Sequence, residues 1–255
     1  MTHLKTDALV LRRTDFSETS LILAMLTRAS GLRSALVKGA KRPKSPFFGA
    51  LDLYSLNEVV ILDRRSSELG LLTEAVSVET YSGLRRNLRA AYASHAVAEL
   101  LLGLLHDNEP VPELFGLTCR TLGLLARAEP EALEAHLAAF QVQLFSHLGT
   151  GLILDRCVLC EKPLTGSPTR IAVSVTSGGV VCSACAGRTS EVTEISPGTL
   201  KVLTALGGAS PNVVARMRLS GRIQGELRRV LTRMCTHLLG RAPKMARFLH
   251  GGRLD

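Results

Sequence analysis

Two C-x2-C pairs, Cys157-Val-Leu-Cys160 and Cys182-Ser-Ala-Cys185, separated by twenty-one residues, constrain this chain more than any other feature. Each pair makes a tight turn with two thiols, and two such turns converge four thiolates on one point, a donor set that fits tetrahedral zinc. The separation is one residue beyond the roughly 15–20 usual for zinc ribbons, a difference that a hairpin carrying Gly178-Gly179 absorbs. A disulfide pair and an iron-sulfur centre are the alternative uses of the same cysteines. With four cysteine ligands no position remains for water, so one structural Zn2+ per chain is expected, not a catalytic ion. It would fold its own module at about residues 154–190, supplying ~10 kcal/mol or more to a segment with little core. Cys119 and Cys235 fall singly in apolar helical patterns and read as buried small side chains.

Residues 4–80 read as β-structure. LKTDALVLRR, SLILAMLTR, LRSALVK, LYSLNEVVILD and ELGLLTEAVSVE are short apolar-rich segments with no helix-length amphipathic pattern between them. Five strands are consistent with a small closed barrel such as the OB-fold, and strand count leaves an SH3-like barrel open as well. Between the third and fourth strands lies KGAKRPKSPFF, residues 38–48, where Gly39, Pro43 and Pro46 disfavour regular structure. Its cations Lys38, Lys41, Arg42 and Lys44 are therefore expected on a projecting loop, where a polyanion would meet them. Asp15, Ser17, Glu18 and Thr19, in the turn after the first strand, read as groups that cap and orient the chain.

From residue 81 the pattern is helical: one helix to the break at Asn108 and Pro110, a second over about 112–127 and a third opened by Pro130. Leucine and alanine dominate all three, which predicts an antiparallel bundle. After the cysteine module, Ser196-Pro-Gly starts a short helix. A longer one follows, with Ile223, Leu227, Val230, Leu231 and Met234 on its apolar stripe and Arg222, Arg229 and Arg233 opposite. The expected architecture is α+β, a barrel domain at 1–80 and a helical domain at 81–255 carrying the zinc module.

Charge is segregated along the chain. Residues 1–48 carry nine Lys and Arg against three Asp and Glu, residues 49–150 seven against thirteen, and residues 191–255 eleven against four. Two basic ends and a net charge of +9 point to an anionic partner. With no tryptophan, seven phenylalanines and three tyrosines there are few platforms for stacking bases, although Phe16, Phe47, Phe48 and Tyr54 lie in or near the barrel loops. Binding is thus expected to rest chiefly on phosphates, tolerant of sequence and steep in salt. No hydrolase, metalloprotease, P-loop or dinucleotide motif is present, and His95, His106, His136 and His147 lack the carboxylate spacing of a metal-ligating helix pair. No run approaches the ~18 apolar residues of a membrane span and no leader precedes the first strand, so a cytoplasmic protein without a membrane partner is expected. A nucleic-acid-processing enzyme and a zinc-containing translation factor are the rival readings.

Four stretches resemble the RecO family of bacterial recombination mediators: DFSETSL at 15–21, KGAKRPKS at 38–45, LDRCVLC at 154–160 and KMARFL at 244–249. The order of barrel, helical region and four-cysteine insert is similar to that family from end to end. The resemblance implies an OB-fold protein, not an enzyme, that binds single- and double-stranded DNA and anneals complementary strands. It further implies work with RecR to load RecA onto strands coated by single-stranded DNA-binding protein (SSB), whose acidic C-terminal tail it would bind, and a place near the nucleoid. The DNA contacts carry over to Lys38, Lys41, Arg42 and Lys44. Arg12 and Arg13 are candidates from charge alone, and Arg222, Arg229 and Arg233 from the second basic region. Some family members lack the cysteines, which makes the metal scaffolding; Phe16 stands where tyrosine is frequent.

Overall fold

The first strand does two jobs. In a computed structural model that describes residues 2–47, 49–64, 67–164, 169–189 and 191–249, β1 (Thr2–Asp15) pairs antiparallel with β4 (Leu56–Arg64) through its first half and with β2 (Leu21–Thr27) through its second. β2 continues into β3 (Gly31–Val37), and β5 (Ser67–Glu79) pairs antiparallel with β4 and parallel with β3 at Ala35–Gly70 and Leu36–Leu71. The five strands close a barrel in the order β1-β2-β3-β5-β4, the OB-like architecture expected. Irregular register between Val10 and Arg12, and at three places between β4 and β5, supplies the coiling that so small a barrel requires. Small and branched inward residues, among them Ala8, Val10, Leu23, Met25, Ala35 and Ile61, fill the interior.

The chain divides into two compact units, residues 1–94 with 98–126, and residues 95–97 with 127–255. In the first, the β2–β3 turn needs Gly31: its φ is +65°, and a Cβ there would stand 1.8 Å from the Glu109 carbonyl oxygen. The helical pattern after residue 81 does not run unbroken as expected. A short α1 (Gly83–Arg86) stops at Asn87, whose side-chain oxygen accepts from the Arg89 and Ala90 amides at 2.9 and 3.3 Å and so caps a fresh helix, α2 (Leu88–Leu104). α3 (Pro112–Leu125) follows, and Arg28 at the β2–β3 turn lies over the Phe115 ring at 4.8 Å. Cys119 is half-buried, its thiol pushed up to about 11 mainly by burial, and Cys235 is buried.

In the second unit α4 (Pro130–His147) packs with α5 (Pro197–Gly208), α6 (Pro211–Arg216) and α7 (Gly221–Leu239). Its core is thus assembled from helices distant in sequence, where the leucine pattern had predicted a bundle of three successive ones. The cysteine module carries a three-stranded sheet in the order β7 (Gly179–Val181), β6 (Ile171–Ser174), β8 (Thr193–Ile195), and a short α8 (Ala246–Leu249) follows α7.

One buried carboxylate joins α5 to α7. Glu226 Oε2 accepts from the Ser196 amide and hydroxyl, both at 2.7 Å, and from the Thr199 hydroxyl at 2.6 Å, at the positive N-terminal end of α5. Burial alone would raise its pKa. The bonds from Thr199, Ser196 and Arg222 outweigh that and hold it at about 2. A depressed folded pKa stabilises the protein above the unfolded carboxyl pKa and loses that effect as pH falls through the folded one. Glu226→Gln should therefore destabilise by about 2 kcal/mol at pH 7. The gap between its urea midpoint and that of the parent should shrink from about pH 4.5 toward pH 2.

Candidate nucleic-acid interface and metal centre

The β3–β4 segment that holds the basic loop is divided between core and solvent. Ser45, Phe47, Ala50 and Leu51 are buried, and Phe47, Ala50 and Leu51 join the barrel core. Lys38, Arg42, Pro43 and Lys44 stand exposed ahead of that anchor. Backbone bonds from Arg42 to the Gly39 carbonyl (3.1 Å) and from Ser45 to the Arg42 carbonyl (3.0 Å), with Gly39 at φ +71°, make consecutive turns of the cationic half. The projecting loop expected from glycine and proline is therefore anchored at its C-terminal side by apolar burial; Phe48 lies outside the described residues.

Lys41 differs from its neighbours. Its ammonium pairs with Asp15 at 2.9 Å and donates to the Ser17 carbonyl at 3.2 Å, while its amide donates to the Thr19 carbonyl at 3.0 Å. It stitches the basic loop to the β1–β2 turn. Among the described residues, the side chains of Lys38, Arg42 and Lys44 have no hydrogen bond or ion pair. The orienting role read for Asp15 and Ser17 matches this geometry, since the Ser17 hydroxyl accepts from the Ser20 amide at 3.2 Å. Nothing in the spacing of Asp15 and Lys41 announced their pairing.

Arg12 and Arg13 are exposed on β1 beyond its irregularity. Arg13 reaches Asp52 at 3.5 Å, and Asp52 is held more closely by Arg85 at 2.7 Å. On α7, Arg222 pairs with Glu226 at 3.0 Å, and Arg233 donates to the Val192 carbonyl at 3.2 Å and the Thr193 hydroxyl at 3.0 Å, tying the helix to β8. Arg229 is exposed without such a partner among the described residues. Arg228, which the helical pattern did not single out, bonds Glu134 on α4 through two nitrogens at 3.1 and 2.7 Å.

The four cysteines meet as their spacing requires. The sulfurs of Cys157, Cys160, Cys182 and Cys185 lie within 4.8 Å of one another, with Cys160 and Cys182 at 3.8 Å. They form the one such cluster of His, Cys, Asp and Glu among the described residues, and His95, His106, His136 and His147 are not drawn into it. Each pair is folded by its own turn: the Glu161 amide donates to the Cys157 carbonyl at 2.8 Å with Glu161 at φ +60°, and the Cys185 amide to the Cys182 carbonyl at 3.0 Å. Gly179 lets the hairpin close on this knot, since a Cβ there would lie 2.2 Å from the Ile153 carbonyl oxygen. The Cys182 amide, followed by those of Leu159 and Cys160, draws the Cys157 thiol down to about 6. The Cys185 thiol, pressed by Cys182 and by burial, is raised to about 12, a penalty that a bound cation would reverse. Four converging sulfurs, one predisposed to ionise, can hold a metal ion.

Comparison with known proteins covers nearly the whole chain. The family model described as Recombination protein O N terminal matches residues 1–81, and Recombination protein O C terminal matches residues 85–247. The chain is similar to a "DNA repair protein RecO" of Rhodopirellula baltica, 33% identical over 268 residues covering 95% of this chain and 97% of the relative. A protein of the same description from Pelotomaculum thermopropionicum is 33% identical over 246 residues, covering 96% and 93%. A third, from Anaeromyxobacter dehalogenans, is 32% identical over 250 residues, covering 98% and 96%.

The purified chain should carry one metal ion, read by plasma mass spectrometry. Cys157→Ser and Cys182→Ser should each lower that content by tenfold or more and sensitise the module to protease, because the cysteine-bearing turns pack against one another around the sulfur cluster.

Proposed function

Since the chain belongs to the RecO family, DNA repair proteins that act as mediators and not as catalytic enzymes, we propose that it binds single- and double-stranded DNA and anneals complementary strands. The observation that carries this reading is the set of exposed cations Lys38, Arg42 and Lys44, without an ion pair among the described residues, on a loop whose base is buried in an OB-like barrel. Two single strands repel through their phosphates. Cations held at fixed spacing neutralise that charge and release counterions, so complementary bases approach at lower free-energy cost while the protein makes and breaks no bond. Lys41 acts at one remove, orienting the loop through Asp15, Ser17 and Thr19, and Arg12 and Arg13 extend the cationic strip along β1. Arg229 is the most available cation of the second basic region; Arg222 and Arg233 combine a smaller phosphate role with their contacts to Glu226 and β8.

Zinc is the ion this reading places among the cysteines. A tetrahedral site with Zn–S bonds of about 2.3 Å has sulfurs about 3.8 Å apart, the separation of Cys160 and Cys182. Four thiolate ligands leave the ion scaffolding, so it holds the module and takes no part in strand pairing.

The partners follow the family: RecR, the C-terminal tail of SSB and, through them, RecA, in the cytoplasm at the nucleoid. An acidic tail with an apolar tip calls for a greasy pocket with a cation at its rim. The second unit has a cavity of about 410 Å³ lined by Val142, Phe145, Leu203, Leu231 and Met234, with Arg156 beside it, which suits such a tail. Among the described residues no helix is long and apolar enough to cross a membrane.

Replacing Lys38, Arg42 and Lys44 by Ala should flatten the plot of log affinity against log salt for single strands by about 2 units, at roughly 0.7 per lost contact. An unchanged slope removes the loop from the interface. In the parent protein, labelled complementary strands with Mg2+ should pair faster and keep their length; shortened product would mark an enzyme.

A further inference from the structure

Phe16, in the turn from β1 to β2, is 60% exposed, and it is the one aromatic side chain among the large apolar residues found exposed in the described chain. The other described aromatics expected near the barrel loops have gone inward: Phe47 and Tyr54 are 7% and 6% exposed. The turn that carries Phe16 is not loose. Its own amide and that of Ser17 donate to the Ser20 carbonyl at 3.1 and 3.3 Å, and Lys41 fastens the turn to the basic loop through Asp15, Ser17 and Thr19. A solvent-facing ring on a hydrogen-bonded turn is thus tied to the segment that bears Lys38, Arg42 and Lys44.

We infer that Phe16 is a stacking platform for one base of a single strand whose phosphates lie on the basic loop. The inference rests on the DNA-binding reading above and deepens it, because phosphate contacts do not themselves sense whether a base is paired. Every base offers a π-face to an aromatic ring, but only an unpaired base can leave its neighbours to use it. A phosphate contact and a stacking contact also differ in salt. Cations release counterions and set the slope of affinity against salt, whereas an uncharged ring changes affinity equally at every salt concentration. The pairing of ring and cations therefore lets the barrel prefer single strands without reading their sequence.

Two variants test this. Phe16→Ala should weaken binding to oligo(dT) by about 5- to 100-fold, with a salt line parallel to the parent's and unchanged duplex affinity. Phe16→Trp places a lone tryptophan in a chain that has none. Its emission should be quenched by oligo(dT) and not by inorganic polyphosphate, which carries the charge without the bases. Equal losses on single strand and duplex, or oligo(dT) binding by Phe16→Trp without quenching, would overturn the stacking role while leaving phosphate binding in place. An oligo(dT) affinity indifferent to Phe16→Ala would mean that the ring serves another purpose, such as docking a protein. A parent protein that retains no DNA in dilute buffer would sink both the underlying reading and this one.

Discussion

The closure of the barrel by backbone hydrogen bonds is the constraint on which the first unit depends. β1 gives one half to β4 and the other to β2, and the short parallel contact of β3 with β5, at Ala35–Gly70 and Leu36–Leu71, completes the ring. Once the ring is closed, both the β1–β2 turn and the β3–β4 loop have fixed bases. Phe47, Ala50 and Leu51 return to the barrel core after the cationic turns, which limits how far Lys38, Arg42 and Lys44 can stray. Cations whose position is set by the core lose less freedom when they meet a polyanion than cations on a free tail.

Electrostatics then divides labour among like residues. Lys41 is charge-matched by Asp15, whereas the side chains of Lys38, Arg42 and Lys44 stand exposed with no ion pair among the described residues. The same division runs along α7. Arg233 is spent on the Val192 carbonyl, Arg228 on Glu134 and Arg222 on Glu226, while Arg229 remains available. Exposed pairs of this kind contribute little stability each, so their effect is mainly positional. Glu226 is the exception, because its carboxylate is buried and accepts from a helix terminus.

The second unit has two sources of order. Its helices close around α4 by apolar packing, and its small sheet buries Ile171, Val173, Val180, Val181 and Ile195 beside the point where four sulfurs converge. A metal ion held by these sulfurs would add its binding free energy to the folding of the module. Arg233 and the contact of α7 with β8 join the two sources.

Local patterns were legible in the sequence because they are local physics. Short apolar-rich runs without a helical pattern marked the five strands, proline and serine marked helix starts, and the two C-x2-C turns announced convergent sulfurs, since each is set by neighbours a few residues apart. The basic loop was legible as charge. Its inward half was not, because nothing in the apolar residues from Phe47 to Leu51 says that they fold back to plug a barrel. The break at Asn87 was hidden by a helical period that carries across it, and the partners of α4 were hidden because a stripe of leucine defines a face without saying what covers it. Tertiary structure alone decided that Lys41 spends its charge on Asp15, that Glu226 anchors Ser196 and Thr199, and that Phe16 stays outside while Phe47 and Tyr54 go in. Those outcomes depend on distances between residues far apart in the chain, and only closure of the barrel and packing of the helices determine them.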